Sequence, residues 1–433
     1  MDNRHPSPNR AKYATNLAER ALHYLSYRFV NTPVYGFGVL ARALKKRPLR
    51  TEDFRKKHIR SILVVRVDGL GDIVLMSSFI RALRAGFPDA WITLVVDRKV
   101  LRFVEMCPWV NETVGMDEQG FKYKRLFVGW LRAWRTAARL RRDYDLAINP
   151  RWDVDSRAAT LLGYYSLASW HVGFSERVNA NKARINRGLD RMFSHLIDAT
   201  PGPLHEEDRN NEVLKFLGLQ QSRTAPELWL GEDDIEWAEK AIAAQRTGSG
   251  GWLVCFGIGG VEAKRLWPAQ RFGNVAAWLR EKFGASIIVI GGEEDRVAAL
   301  EMAARIPDTP VMNFAGACSM RRSAALLRHC DLFVGTDSGP MHMAVAAGVP
   351  VVEIACHPLN GSIGHVNSPD RYKPLHVPAR VLQPRKRRSP CSDGCQASAP
   401  HCILEIEVGD VQNAIADLVA EVVNTQKIQV EAF

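Results

Sequence analysis

Short runs of apolar, often β-branched residues recur along this chain, each feeding a glycine-rich or polar turn and then a stretch with apolar residues at helical spacing. In the first half they are Ile62–Val67, Trp91–Val96 and Tyr144–Ile148; in the second, 252–256, 285–290, 332–335 and 351–354. Runs without alternation are what parallel strands covered on both faces require. Strand, turn and helix repeated in that order predict α/β architecture built from Rossmann-like units.

The most informative of these units spans Asp331–Ile354. Leu332–Val334 and Val351–Ile354 read as buried strands, and Asp337 or Ser338 can cap a short helix that holds Pro340 in its first turn and ends at Gly348 and Pro350. The backbone N–H groups around Ser338, Gly339, Met341 and His342 then converge on one point beyond the strand end, with the positive end of the helix dipole behind them. Such a point suits a phosphate. His342 lies one turn into a helix otherwise lined by Met and Ala, which fits either a buried core histidine or a ligand contact near the helix mouth.

Three other turns carry chemistry. Asp68-Gly-Leu-Gly-Asp72 follows the first strand, where Gly69 and Gly71 allow close backbone approach at the carboxyl end of a sheet. Asp72 stands where a helix from Ile73 to Ala85 is expected to begin, so it reads as an N-cap or as a catalytic base. A helix N-terminus stabilises a carboxylate and weakens it as a base, so a desolvated site or a role in orienting a hydroxyl would be needed. In the second half, Gly257-Ile-Gly-Gly260 is followed by Lys264, which can neutralise whatever the loop around Gly259 and Gly260 cradles. The loop after Tyr144–Ile148 offers Arg151, Asp153 and Asp155 to a polar or anionic substrate, although either Asp can simply cap the next helix. His205 and Glu206 have the same two readings.

Length and charge refine this picture. At 433 residues two domains are the default. The net charge of +11 is concentrated at one end, because residues 1–60 hold 14 Lys/Arg and 4 Asp/Glu. Tyr13–Leu44 mixes aromatic, aliphatic and basic residues and runs into Ala43-Leu-Lys-Lys-Arg-Pro-Leu-Arg50, which resembles an interfacial amphipathic segment with a polybasic stretch. Membrane-surface attachment is the reading preferred over a solvated extension, and no nucleic-acid module is visible. Neither a membrane-spanning run nor a signal peptide is expected, and Cys107, Cys255, Cys318, Cys330 and Cys356 read as thiols in a reducing cytoplasm. Cys391, Cys395, His401 and Cys402 could hold zinc, yet their spacing is not that of a standard finger. A loop of free or paired thiols is the expectation, with no metal.

Taken together, Gly69-Leu-Gly-Asp72, Lys264-Arg-Leu-Trp-Pro268 and Thr336-Asp-Ser-Gly-Pro-Met-His342 make residues 61–425 similar to the bacterial lipopolysaccharide heptosyltransferase family, glycosyltransferase family 9. The resemblance implies a GT-B fold, two Rossmann-like doubly wound domains facing across a cleft, and inverting, metal-independent sugar transfer without a cofactor. The implied division is a basic extension (1–60), an acceptor domain (61–230), a nucleotide-sugar donor domain (231–410) and a C-terminal helix and tail (411–433). By the same resemblance Asp72 is the base toward the acceptor hydroxyl. Lys264, with Gly259, Gly260, Asp337, Ser338, Gly339 and His342, holds the donor diphosphate. Gly69, Gly71, Arg151, Asp153 and His205 are assigned to the acceptor side. The implied donor is ADP-heptose, the implied acceptor an anionic glycolipid, and the implied location the cytoplasmic face of the inner membrane. A sugar-nucleotide epimerase and a non-catalytic, membrane-recruited nucleotide-binding protein are the alternatives. The basic extension lies outside the family core, and Pro358–His376 is a less general pattern that leaves the transferred sugar open.

Overall fold

The structure is a computed structural model, and it describes residues 35–431 apart from 46, 117–125, 141–142, 201, 203, 247–250, 308–310 and 393. The part of the expected interfacial segment before residue 35 lies outside the described residues.

By contacts the chain divides into two units. The first comprises 1–68, 80–201 and 209–221; the second comprises 69–79, 202–208 and 222–433. The Gly69–Asp72 turn and His205 are therefore counted with the second unit, whereas the sequence assigned both to the first domain. The helix Val408–Glu431 also packs within the second unit, through Val411, Ile415 and Leu418 in its core.

The first unit holds a parallel sheet of β1 (Ser61–Arg66), β2 (Trp91–Asp97), β3 (Glu112–Met116), β4 (Leu146–Asn149), β5 (Trp170–Phe174) and β6 (His195–Ile197). The second holds β7 (Leu253–Gly257), β8 (Ser286–Ile290), β9 (Val311–Asn313), β10 (Leu332–Thr336), β11 (Val351–Ile354) and β12 (Ala379–Leu382), again all parallel. The orders are β3-β2-β1-β4-β5-β6 and β12-β11-β10-β7-β8-β9. Numbered within its own unit, the second is the same 3-2-1-4-5-6 winding read from the other edge. Each sheet thus reverses direction once, between β1 and β4 and between β7 and β10, and doubly wound sheets bind ligands beyond the strand ends at that point.

The central strands are the apolar runs seen in the sequence. Ile62–Val65, Val254–Phe256 and Leu332–Val334 are wholly buried, as strands covered by helices on both faces must be. Residues 35–44, placed by the sequence in the extension, form a helix fastened to the first unit. The buried Arg42 guanidinium donates to the carbonyls of Tyr164 and Ala168, and Tyr35 stacks on Tyr164 at 5.7 Å.

Candidate functional site

In the second unit the loops that follow β7 and β10 meet at the winding reversal. The Thr336 hydroxyl donates to the Gly259 carbonyl at 2.6 Å, tying the two strand ends together. A side chain on Gly259 would meet the Asp295 carboxylate, which would have to move aside. Arg265 spans the same ground: its Nη1 donates to the carbonyl and carboxylate of Asp337 at 3.2 and 3.1 Å, its Nη2 to Asn367 Oδ1 at 2.6 Å and its Nε to Glu262 at 3.2 Å. Lys264 is held more loosely, with Nζ 3.4 Å from Glu262.

The helix Gly339–Ala346 begins as the sequence suggests, with Ser338 at the N-cap and Pro340 in the first turn. Neither proposed side-chain cap forms. Asp337 is taken by Arg265, and the Ser338 hydroxyl donates to the Thr336 carbonyl. The amides of Met341 and His342 both turn to the Ser338 carbonyl, so of the four amides expected to face an anion, those of Ser338 and Gly339 remain for it. The chain leaves the helix through Gly348 at φ +79°, a conformation glycine adopts without strain.

Against this helix lies Leu70–Leu75, whose N-cap is Gly69. Asp72 is therefore not the cap the simplest sequence reading made it: the helix starts at Leu70, three residues earlier than expected, and Asp72 sits in its first turn. Glycine allows the two helices to approach. A Cβ on Gly71 would lie 2.5 Å from His342 Cδ2, and one on Gly339 would lie 3.1 Å from the Leu70 side chain. His342 is buried, with Nε2 3.9 Å from Asp337 Oδ1. Burial lowers its pKa, the negative charges of Asp337 and Asp72 oppose that, and Arg265 adds to it; the net shift is downward. The imidazole is thus neutral near pH 7, able to donate one hydrogen bond and accept another.

His205, the other histidine assigned to the site, is buried and has both ring nitrogens engaged. Nδ1 accepts the Glu207 N–H at 3.2 Å, the capping alternative, which places the proton on Nε2 for donation to the Lys373 carbonyl at 3.2 Å. Burial lowers its pKa as well.

The first unit holds the remaining candidates. Arg151 pairs with Asp68, whose other carboxylate oxygen meets Arg66 Nε at 2.6 Å; Arg66 and Asp68 are buried and Arg151 half-buried, at the end of β1 beside β4. Asp153 accepts its neighbour Val154's amide at 2.7 Å. Asp155 accepts the amides of Arg157, Ala159 and Thr160, the capping role the sequence left open. Lys182 Nζ donates to the Arg151 and Phe174 carbonyls, and burial brings its pKa down to about 8.

Sequence reasoning missed Arg265, Asn367 and Glu353. Arg265 stood inside a quoted motif, next to the residue chosen from it. Asn367 fell in a stretch set aside as a subgroup pattern. Glu353 is buried at the end of β11 with neither oxygen hydrogen-bonded among the described residues. Burial pushes its carboxyl pKa well above the usual range and the nearby Asp337 charge pushes it further, so it is held neutral. Away from these loops, one ligand-capable atom from each of Cys391, Cys395, His401 and Cys402 lies within 4.8 Å of the others, the convergence that the sequence analysis weighed and set aside for its spacing.

Comparison with known proteins places these features. The family model described as "Glycosyltransferase family 9 (heptosyltransferase)" matches residues 134–356, just over half the chain. Lipopolysaccharide heptosyltransferase 3 of Escherichia coli K12 is 24% identical over 291 residues, covering 66% of this chain and 79% of that protein. Lipopolysaccharide heptosyltransferase 2 of Salmonella typhimurium is 25% identical over 328 residues, covering 74% and 87%. Among solved structures, a family 9 glycosyl transferase from Veillonella parvula aligns with a TM-score of 0.66 at 22% identity, over 86% of this chain and 100% of that one. The E. coli ADP-heptose lps heptosyltransferase II aligns with a TM-score of 0.59 at 20% identity, over 83% and 99%. Likeness at such identity speaks to the fold, which is GT-B, and the match over 134–356 speaks to descent: this chain is a glycosyltransferase and belongs to family 9, the heptosyltransferase family.

Proposed function

We propose that the protein is an inverting, metal-independent transferase that moves a heptose from ADP-heptose to the lipopolysaccharide core or a related anionic glycolipid. The observation that carries this reading is the grouping, within one unit, of Asp72 on the helix Leu70–Leu75 with the anion-suited turn Asp337–Gly339 and His342. Inverting displacement needs a base on the attacking hydroxyl and charge compensation on the departing diphosphate. Asp72 supplies the first. Lys264 and the amides of Ser338 and Gly339 at the helix N-terminus supply the second, with neutral His342 as a hydrogen-bond partner to the donor and the loop at Gly259 and Gly260 beneath it. Gly69 lets the acceptor approach the base, Gly71 makes room for His342 beside it, and Arg151, Asp153 and His205 are assigned to the acceptor side. Relatives named for lipopolysaccharide heptosyl transfer, and a similar structure described as E. coli heptosyltransferase WaaC with ADP, support the choice of sugar and nucleotide.

Thermal shift with nucleoside diphosphates tests the donor. ADP at one hundred times its dissociation constant is expected to stabilise the fold by about 2.7 kcal/mol, with UDP and GDP at the same concentration giving little. Stabilisation by UDP or GDP and none by ADP would reject the donor assignment. Incubation with ADP-heptose alone leaves the sugar unchanged, and transfer appears when a deheptosylated glycolipid is added; a changed sugar without acceptor would restore the epimerase alternative.

The acceptor calls for a membrane surface. Among the described residues no helix is long and apolar enough to cross a bilayer. The helical residues 35–44 nevertheless expose Phe37, Val39, Leu40 and Leu44, and Lys45, Arg47 and Arg50 follow. Apolar side chains beside basic ones suit peripheral attachment to anionic lipid at the cytoplasmic face of the inner membrane. Replacing Phe37, Leu40 and Leu44 by Ser is expected to reduce co-sedimentation with phosphatidylglycerol vesicles severalfold, leaving ADP binding intact; undiminished sedimentation would remove the helix from the attachment surface.

A further inference from the structure

We propose that Cys391, Cys395, His401 and Cys402 form a structural zinc site that fastens the long loop after β12 to the core of the second unit. The ligand atoms already stand at coordination spacing. With Zn–S near 2.3 Å and Zn–N near 2.0–2.1 Å, a tetrahedral site requires S···N separations of roughly 3.6 Å. His401 Nδ1 lies 3.5 Å from Cys391 Sγ and 3.4 Å from Cys402 Sγ, and all four ligand atoms fall within 4.8 Å of one another. Three thiolates and an imidazole with no open position make a closed set of the structural kind.

The surroundings fit an anionic metal–thiolate centre. The Gln396 amide donates to Cys391 Sγ at 3.3 Å, the sort of contact that orients a thiolate ligand. A zinc ion with three thiolates carries one net negative charge, and Arg385, Lys386, Arg387 and Arg388 precede it directly, with the Arg388 guanidinium donating to the His401 carbonyl. The three cysteines are buried and join the apolar core that includes Ile403, Ile406 and Val411.

The position also explains what the ion would do. Between β12 and the 3-10 turn Cys402–Glu405 the described chain forms no strand or helix, so repetitive backbone bonding does not hold it. The loop nonetheless braces the segment 357–367. Gln383 donates to the His357 carbonyl, the Leu359 amide to Pro384, and the Arg387 amide to Asn360, while a Cβ on Gly394 would lie 2.9 Å from the His365 ring. That segment ends at Asn367, the partner of Arg265.

Metal analysis of the full chain, expressed with zinc in the medium and purified without chelator, is expected to find one zinc per chain. Cys391→Ser and Cys395→Ser are each expected to lower that content about tenfold or more, while Cys318→Ser, which alters a thiol outside the cluster, leaves it unchanged. Because the first two variants can fail to fold, the unmodified chain produced with cobalt provides an independent reading: thiolate-to-cobalt charge-transfer absorption with the band pattern of a tetrahedral ion is expected. Zinc-free protein with no such absorption, or a disulfide mapped within the cluster, would overturn the site. Stoichiometric iron would overturn the choice of zinc. None of these readouts depends on transferase activity, so they stand or fall separately from the proposed reaction.

Discussion

Replacing Asp72 with Asn is expected to reduce the rate of sugar transfer about 10²–10⁴-fold, the range by which a positioned base contributes, while ADP still binds. The substitution keeps size and shape and removes only the capacity to take a proton. Its structural cost is expected to be small, because Gly69 and not Asp72 is the N-cap. Loss of a negative charge from the first turn of the helix would cost about 0.3–1 kcal/mol at an exposed site. Nor does the change recharge the adjacent histidine. Asp72 is one of two carboxylates raising the His342 pKa against burial, so its removal leaves that ring more firmly neutral. A loss confined to kcat, with unchanged ADP affinity and melting point, identifies the base; transfer at the wild-type rate would remove Asp72 from the chemistry.

How far the sequence could be read depended on what each residue faced. The central strands of both sheets are buried on both sides, so their apolar runs are unbroken and stood out. Outer strands lacked that signature. β3 is half-exposed for four of its five residues and contains Gly115, β6 and β9 have three residues each, and β12 is half-buried throughout. Such edges are recognised by pairing with a neighbour, which a linear pattern does not contain. The winding order was therefore legible at its centre and invisible at its rims.

Site residues followed a similar division. Turn-forming glycines and the short helix after β10 carried local signals, and the structure shows why Gly71 and Gly339 stand where they do: two helices approach too closely for side chains. Pairings across loops carried none. Asp337 looked like a cap because Asp before a helix usually is one. Its partner Arg265 lies 72 residues away, and the two come together only when the ends of β7 and β10 lie side by side. The cysteine cluster was discounted for its spacing, a criterion suited to short fingers; a loop folded back on a preformed core can bring the same ligands together at other intervals.

Lys264 and Arg265 are adjacent cations with different neighbours, and their alanine variants are expected to separate accordingly. Arg265 donates to Asp337, Glu262 and Asn367, and both it and Asp337 are largely shielded from solvent. Removing one partner of a buried pair costs about 3–5 kcal/mol, and the solvent that still reaches this pair places Arg265→Ala at about 2–3 kcal/mol of lost stability. Donor binding should fall with it, because Asp337 adjoins the amides assigned to the diphosphate. Adding Asp337→Asn removes the stranded charge and should recover part of the stability, a coupling measured directly by a double-mutant cycle. Among the described residues Lys264 makes one ion pair, at 3.4 Å to a half-exposed glutamate, an arrangement that contributes at most about 1 kcal/mol. Lys264→Ala is therefore expected to leave the melting point nearly unchanged while weakening ADP binding about tenfold or more, since a charge-assisted contact to phosphate is worth roughly 1.5–3 kcal/mol. If Lys264→Ala destabilised the fold as much as Arg265→Ala and bound ADP normally, the roles assigned to these neighbours would have to be exchanged.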